Sequence, residues 1–320
     1  MFLSDKTQTR CDFHRKGASK TAVAFGVLFL ILLLLISLVS IRGLSSSEYI
    51  PEAPLPEIHQ LETSFPIWRR GSGRGRKMAE GEQHNRFLKK LKDIGLSPSF
   101  ILDAGANRGH WSRAAWAAFG GDVMEHPPKM LLFEGAGSCA PYLQTTGFDF
   151  IIAVLGAKTQ NIEYFSDGSS TGNSVLRETT NLFVDVKPTK RVMHTIDDLV
   201  ELWLKNAEGE NNKAITGKLL SGHVVFKLDV QGYEIEVLRG ASRVLESVDV
   251  LLLETSIVPY NRGAPLAAAL ISFVGSLGFE ILDLLESHSI NGVVVQLDFG
   301  FVRTNSLYMN KTAQIAGLNV

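Results

Sequence analysis

Phe100–Ser112 reads FILDAGANRGHWS. Three apolar residues run into Asp103, small residues and two glycines follow, and a helical stretch opens near Gly109. Strand, tight turn, helix is the unit from which open parallel sheets are wound. Gly105 and Gly109 let the backbone turn sharply and approach a ligand, and the helix start offers free N–H groups to it. Apolar runs recur downstream at Met130–Glu134 (MLLFE), Phe150–Val154, Val224–Asp229 (VVFKLD) and Val248–Glu254 (VDVLLLE). Runs apolar on both faces are what a parallel sheet covered by helices requires. Further strands are expected at Phe279–Leu284, Gly292–Leu297 and Phe301–Arg303. A helix is expected from Asn85, where Phe87, Leu88, Leu91 and Ile94 recur at helical spacing before Pro98. Asn206–Lys213 reads as a surface loop. The expectation is an α/β domain, a doubly wound sheet in three layers.

The N-terminal fifth of the chain has a different texture. Ala22–Ile41 is twenty residues without a charge, which as a helix spans roughly 30 Å, the hydrocarbon thickness of a bilayer. A cleaved signal peptide carries a shorter apolar stretch of about 7–15 residues, so this one reads as a retained single transmembrane helix. Lys6, Arg10, Arg15, Lys16 and Lys20 precede it, and only Arg42 follows closely. That bias keeps residues 1–21 cytosolic and puts the large C-terminal part across the membrane, in a luminal (Golgi or ER) or extracytoplasmic space. Residues 42–80, with Ser45–Ser47, three prolines in Pro51–Pro56 and the basic cluster Arg69–Lys77, read as a flexible stem. The domain is placed at 81–305 and a polar tail at 306–320, where Asn310-Lys311-Thr312 forms a glycosylation sequon.

Composition excludes several classes. The net charge is −1, which argues against a nucleic-acid partner held by bulk electrostatics. Cys11 and Cys139 fall on opposite sides of the apolar run, and no Cys/His cluster is present, so no zinc set and no metal ligands are read.

Which ligand the glycine turn serves follows from its details. GANRGH lacks the glycine register of the pyrophosphate fingerprint, and no GxxxxGK[ST] occurs. Asp103 before the turn repels a phosphate and suits the cationic methionine end of S-adenosylmethionine. Glu134 ends the next strand, where a carboxylate accepts from both ribose hydroxyls of a nucleoside. Alone, Asp103 is equally a turn cap and Glu134 a helix cap; together they favour the cofactor. In FKLDVQGYEIEVLRGA (Phe226–Ala241), Lys227 and Asp229 alternate with apolar residues at a strand end, and Gly232 turns the chain. They form an ion pair, or Asp229 orients a substrate hydroxyl, accepts its proton or holds a cation. Glu254 ends another apolar strand. Tyr260 and Asn261, in the loop after it, are candidate substrate contacts or plain turn residues.

Taken in order, D-A-G-A-N-R-G, F-E, T-I-D-D-L at Thr195–Leu199, K-L-D-V-Q-G-Y-E and L-L-E resemble the FkbM family of S-adenosylmethionine-dependent methyltransferases. The resemblance covers roughly Phe100 to Arg303. It implies the class I methyltransferase (Rossmann-like) fold, a seven-stranded sheet with the last strand antiparallel, and methylation of hydroxyls on sugars, polyketides and related acceptors. It places Asp103, Gly105, Ala106, Asn107 and Gly109 on the cofactor loop and Glu134 on the ribose. It places Lys227, Asp229 and Gly232 on the fourth-strand motif and Glu254 at the end of the fifth strand. Gly135 stands where many members carry proline, which leaves that turn freer.

The resulting expectation is a membrane-anchored O-methyltransferase acting on a sugar, glycan or other hydroxyl-bearing metabolite. Asp229 is the first candidate for proton removal, Glu254 the second, and a bound divalent cation stays open. A luminal domain would need its donor carried across the membrane. The competing reading is a secretory-pathway glycosyltransferase, which shares the anchor-and-stem layout. No two aspartates stand two positions apart as a sugar-nucleotide metal motif requires. A non-catalytic binding module on the same scaffold is the third reading.

Overall fold

A computed structural model describes residues 58–59, 82–167, 172–179, 185–208, 218–290, 292–304 and 306–315. The expected cytosolic tail, anchor and stem lie outside the described residues, apart from Ile58–His59. Among the described residues, no helix is long and apolar enough to cross a membrane. The chain divides into Met1–Glu52 and Ala53–Val320, and every described residue belongs to the second unit.

In chain order the elements begin with β1 (Ile58–His59), α1 (Glu82–Asp93), β2 (Pro98–Ala104), α2 (His110–Ala118) and β3 (Lys129–Glu134). A 3-10 turn at Gly137–Cys139 leads into α3 (Ala140–Gln144), β4 (Asp149–Ile152), β5 (Val154–Leu155), β6 (Gln160–Tyr164) and β7 (Thr189–His194). Then follow α4 (Ile196–Glu208), β8 (His223–Leu228), α5 (Glu234–Arg239), α6 (Ser242–Leu245) and β9 (Val248–Ser256). The domain ends with α7 (Ala267–Ser276), β10 (Phe279–Ile290), β11 (Val293–Arg303) and α8 (Leu307–Ile315).

The main sheet runs β1-β4-β3-β2-β8-β9-β11-β10. Its strands from β4 to β9 pair in parallel, and β11 runs antiparallel between β9 and β10. Setting the two-residue edge strand β1 aside, this is the seven-stranded sheet that the resemblance implies, with the last strand antiparallel. The order switches direction between β2 and β8, so a crevice opens beyond the C-terminal ends of those two strands.

Each strand alternates between two cores. Leu102, Phe133, Phe226 and Leu253 face one, covered by α4 to α7; Ile101, Leu132, Val225 and Leu252 face the other, under α1, α2, α3 and α8. Continuing that period-2 alternation puts Asp103, Glu134, Lys227 and Glu254 all on the second face, the last three at the crevice.

Several expected boundaries shift. The strand read at Phe150–Val154 is two. Ile152 ends β4, Ala153 N donates to the Glu134 carbonyl at 2.9 Å, and Val154 leaves to pair with Met193 in a three-stranded sheet β5-β7-β6. The two segments near the C-terminus are one strand, β11. Residues 206–208 extend α4 instead of opening a loop, and the tail forms α8, whose Tyr308 is buried against His223. Ile58–His59, within the expected stem, pairs with Ile151 and Phe150 at the sheet edge.

Candidate active site

A cleft of about 790 Å³ opens at the strand switch. Its near wall is the glycine loop. Gly105 has φ +81°, and a Cβ there would lie 1.8 Å from the Asp229 carbonyl oxygen, so the loop packs backbone on backbone against the chain just past β8. Asn107 sits at φ +49° and donates its N–H to Glu134 Oε2 at 2.7 Å, while Ala136 N donates to Glu134 Oε1 at 2.8 Å. Glu134 is therefore clamped, and the turn after it is not free. Gly135 is required because the Tyr164 ring lies where its Cβ would be, with the hydroxyl 2.4 Å away. Burial pushes the Glu134 carboxyl up, against the pull of those two N–H groups.

Gly105, Ala106, Asn107, Glu134, Lys227, Asp229 and Glu254 all line the cleft. Asp103 does not. It is fully buried beneath the loop, accepts from Ser112 Oγ at 2.5 Å and lies 3.6 Å from Lys227 Nζ. That corrects the expectation of a carboxylate facing the ligand: Asp103 shares the sheet face of Glu134 and Lys227, but α2 covers it there, and it anchors that helix through Ser112 and balances Lys227. Burial raises its pKa although Lys227 and Ser112 oppose the shift. Gly109 also lies outside the lining and serves as the left-handed N-cap of α2.

Lys227 and Asp229 do form the ion pair, at 3.2 Å, and Lys227 also stacks near Trp111 at 5.7 Å from the ring centre. Burial would lower the lysine's pKa, but Asp229 and Asp103 outweigh it and hold the ammonium charged above its usual range. Gln231 joins the next two groups. Its Nε2 donates to Asp229 Oδ1 at 2.9 Å and to Glu254 Oε2 at 2.7 Å. Asn107 and Gln231 are the non-glycine residues with positive φ among the described residues, and both line the cleft. Backbone held in that region needs surrounding contacts to keep it there: Glu134 takes the Asn107 N–H, and the Gln231 carbonyl accepts from Ser174 Oγ and Asn261 Nδ2 while its side chain reaches Asp229 and Glu254. Glu254 is pushed well above the usual carboxylate range by burial first, then by Asp229, Asp298 and Glu234.

Tyr260 and Asn261 do not reach the cleft. Asn261 is fully buried and donates from Nδ2 to the Gln231 carbonyl at 2.9 Å; Tyr260 Oη donates to Gln231 Oε1 at 3.3 Å and meets Gln296 Nε2. They shape the Gln231 turn, so they are corrected from substrate contacts to supports. The Thr195–Leu199 segment is structural too. The Asp197 carboxylate takes the backbone N–H groups of Arg243 and Val244 at 2.9 Å each, capping α6.

The far wall escaped the local motifs. It consists of His84 from α1, Glu286 and His288 from β10, and Gln296 and Asp298 from β11. The signal was present as alternation: Glu286 and His288 share one strand face, as do Gln296 and Asp298. In register, Glu286 pairs with Asp298 and His288 with Gln296. Gly300 lets α1 come close, since a Cβ there would meet the Phe87 ring at 2.5 Å. One turn earlier on α1, His84 Nε2 then lies 2.9 Å from Asp298 Oδ2.

The residues fit S-adenosylmethionine. The cleft volume lies in the range of cofactor-sized pockets, the glycine loop presents bare backbone, and each Glu134 oxygen retains capacity for a further donor. The family model described as the methyltransferase FkbM domain matches residues 103–281, more than half of the chain. No curated protein matches it. Among solved structures, it is similar to the magnesium protoporphyrin IX methyltransferase of Synechocystis PCC 6803, at 13 % identity, covering 69 % of this chain and 80 % of that one, with a TM-score of 0.33. A putative RNA methyltransferase from Pyrococcus horikoshii gives 12 %, 70 %, 83 % and 0.35 for the same quantities. A precorrin-6y C5,15-methyltransferase from Geobacter metallireducens GS-15 gives 8 %, 73 %, 94 % and 0.35.

Proposed function

This chain belongs to the FkbM methyltransferase family, and we propose that it methylates a hydroxyl group of a polar acceptor such as a sugar or glycan, using S-adenosylmethionine. The observation that carries the reading is Glu134, a cleft-lining carboxylate held by two backbone N–H groups at the end of β3. It is preorganised to accept from a pair of ribose hydroxyls.

S-adenosylmethionine supplies an electrophilic methyl group when bound. The chain's own work is to hold the donor, orient the acceptor, exclude water and take up a proton. Gly105, Ala106 and Asn107 admit the donor against bare backbone, and Glu134 fixes its ribose. The buried Asp103–Lys227 pair underlies that floor. On the acceptor side, Gln231 sets the spacing of Asp229 and Glu254. Asp229, charge-balanced by Lys227, takes the hydroxyl proton, and Glu254 orients the hydroxyl. Ala22–Ile41 anchors the domain to a membrane, with the domain on the luminal or extracytoplasmic side; the apolar length and the basic flank support this.

The test is calorimetric titration of the purified full chain with S-adenosylmethionine. We expect one micromolar site, weakened about 10- to 100-fold by Glu134→Ala, the range for losing a hydrogen bond to a charged group. A folded chain that does not bind would overturn the reading. Labelled methyl transfer to hydroxyl-bearing acceptors tests the finer claim, and a product methylated on nitrogen or carbon would overturn it.

A further inference from the structure

We propose that the far end of the cleft is a divalent-cation site formed by Glu254, His288 and Asp298; its use in catalysis rests on the methyltransferase reading, its existence does not. These residues come from three adjacent strands, β9, β10 and β11. One donor atom from each lies within 4.8 Å of the others.

Strand register crowds carboxylates at this end of the cleft. Asp298 pairs with Glu254 on β9 and with Glu286 on β10. Three carboxylates thus stand in one row across three strands, an arrangement that like-charge repulsion disfavours. Asp229 adds a fourth, joined to Glu254 through Gln231. Lys227 is already engaged with Asp103 and Asp229.

Asp298 is the group that points to an ion. Its Oδ2 is held by His84 at 2.9 Å, but its Oδ1 is buried with no hydrogen-bond partner. His288 Nε2 stands 3.7 Å from that oxygen, beyond hydrogen-bond length. An ion about 2.1 Å from each atom, an ordinary distance for first-row metals, spans this gap.

The surrounding contacts have the character of a metal site's outer shell. Trp111 Nε1 donates to His84 Nδ1 at 3.2 Å. Indole is a donor only, so His84 carries its proton on Nε2 and gives it to Asp298. His84 is therefore a positioning residue and not a ligand. Gln231 holds one oxygen of Glu254 in the same way, and Tyr260 in turn holds Gln231. Asp298 and Glu254 thus each have one oxygen fixed.

One imidazole and two carboxylates suit manganese, iron or zinc better than calcium. Three protein ligands leave coordination positions for water or an acceptor oxygen. An acceptor hydroxyl bound there would lose its proton more readily, with Asp229 close by.

The test uses the full chain, stripped with chelator and titrated with manganese by calorimetry and electron paramagnetic resonance. We expect one ion per chain. His288→Gln and Asp298→Asn should each weaken binding about 10- to 100-fold. His288 is partly exposed, so its variant tests the site without a folding defect, checked by S-adenosylmethionine affinity within about threefold of the parent. Absence of stoichiometric manganese or zinc binding, or binding unchanged in both variants, overturns the site. A chain that binds manganese but not S-adenosylmethionine supports the site and overturns the methyltransferase reading.

Discussion

The two ends of the cleft stand on the same sheet face and are built from the same strand alternation, yet their polar groups are treated differently. At the β2–β3 end the charges are provided for locally. Glu134 has two backbone donors, and Asp103 has Ser112 on Oδ2 and the Lys227 ammonium 3.6 Å from Oδ1. At the β9–β11 end, carboxylates face one another in register, and Asp298 Oδ1, which like Asp103 Oδ1 has no hydrogen-bond partner, stands 3.7 Å from the His288 imidazole. The first end sets its carboxylates against N–H donors, a hydroxyl and an ammonium; the second sets carboxylate against carboxylate. Paired groups bring rigidity, and unpaired ones bring affinity for a counter-charge.

That contrast can be broken at the rigid end first. Gly105→Ala forces a Cβ into the Asp229 carbonyl at a positive φ. We expect a loss of at least about 4 kcal/mol in denaturant unfolding, from overpacking and backbone strain together; a loss below about 1 kcal/mol would mean the two backbones are not in contact.

Glu234 sharpens the comparison through pH. It sits under the Val230–Gly232 turn, and burial lifts its pKa from 4.5 to about 7 although the turn's N–H groups oppose this. The folded state then holds a proton that the unfolded chain releases. Its contribution is fully present below about pH 4.5 and is lost as pH rises through about 7. At 1.36 kcal/mol per unit this is on the order of 3 kcal/mol. Unfolding curves recorded across that window should show stability falling, and Glu234→Gln should flatten the fall.

Conservative changes probe each end more gently. Glu134→Gln keeps the shape and removes the charge, and a roughly tenfold weaker titration with S-adenosylmethionine is expected. Trp111→Phe frees the His84 tautomer at the far end. Manganese affinity should fall by about tenfold or slightly less, while S-adenosylmethionine affinity stays within about twofold. Equal losses for both ligands would show that the two ends are not separable.

Legibility in the sequence followed contact range. Lys227 and Asp229 are two residues apart on one strand, so their ion pair was among the sequence alternatives. Gly105 and Asn107 are separated from Glu134 by one βα unit, and the motif spacing carried them. Asp103 was assigned to the right strand end but to the wrong partner, because the packing of α2 over the end of β2 covers it and gives it Ser112 in place of a ligand. Tyr260 and Asn261 lie in a loop of binding-site composition, yet their side chains turn inward to the Gln231 backbone and amide.

By itself, the sequence determined the α/β class, the order of the main parallel strands β2, β3, β8 and β9 along the chain, the glycine loop and the position of Glu134 at the end of β3. These depend on local apolar periodicity and on turns that need glycine. Only the tertiary structure decided that β11 enters between β9 and β10, which lines up Glu254, Asp298 and Glu286, and that Gly300 admits α1 so that His84 reaches Asp298. Those contacts join residues separated by up to 214 positions. Strand register and helix packing set them, and no local pattern encodes either one.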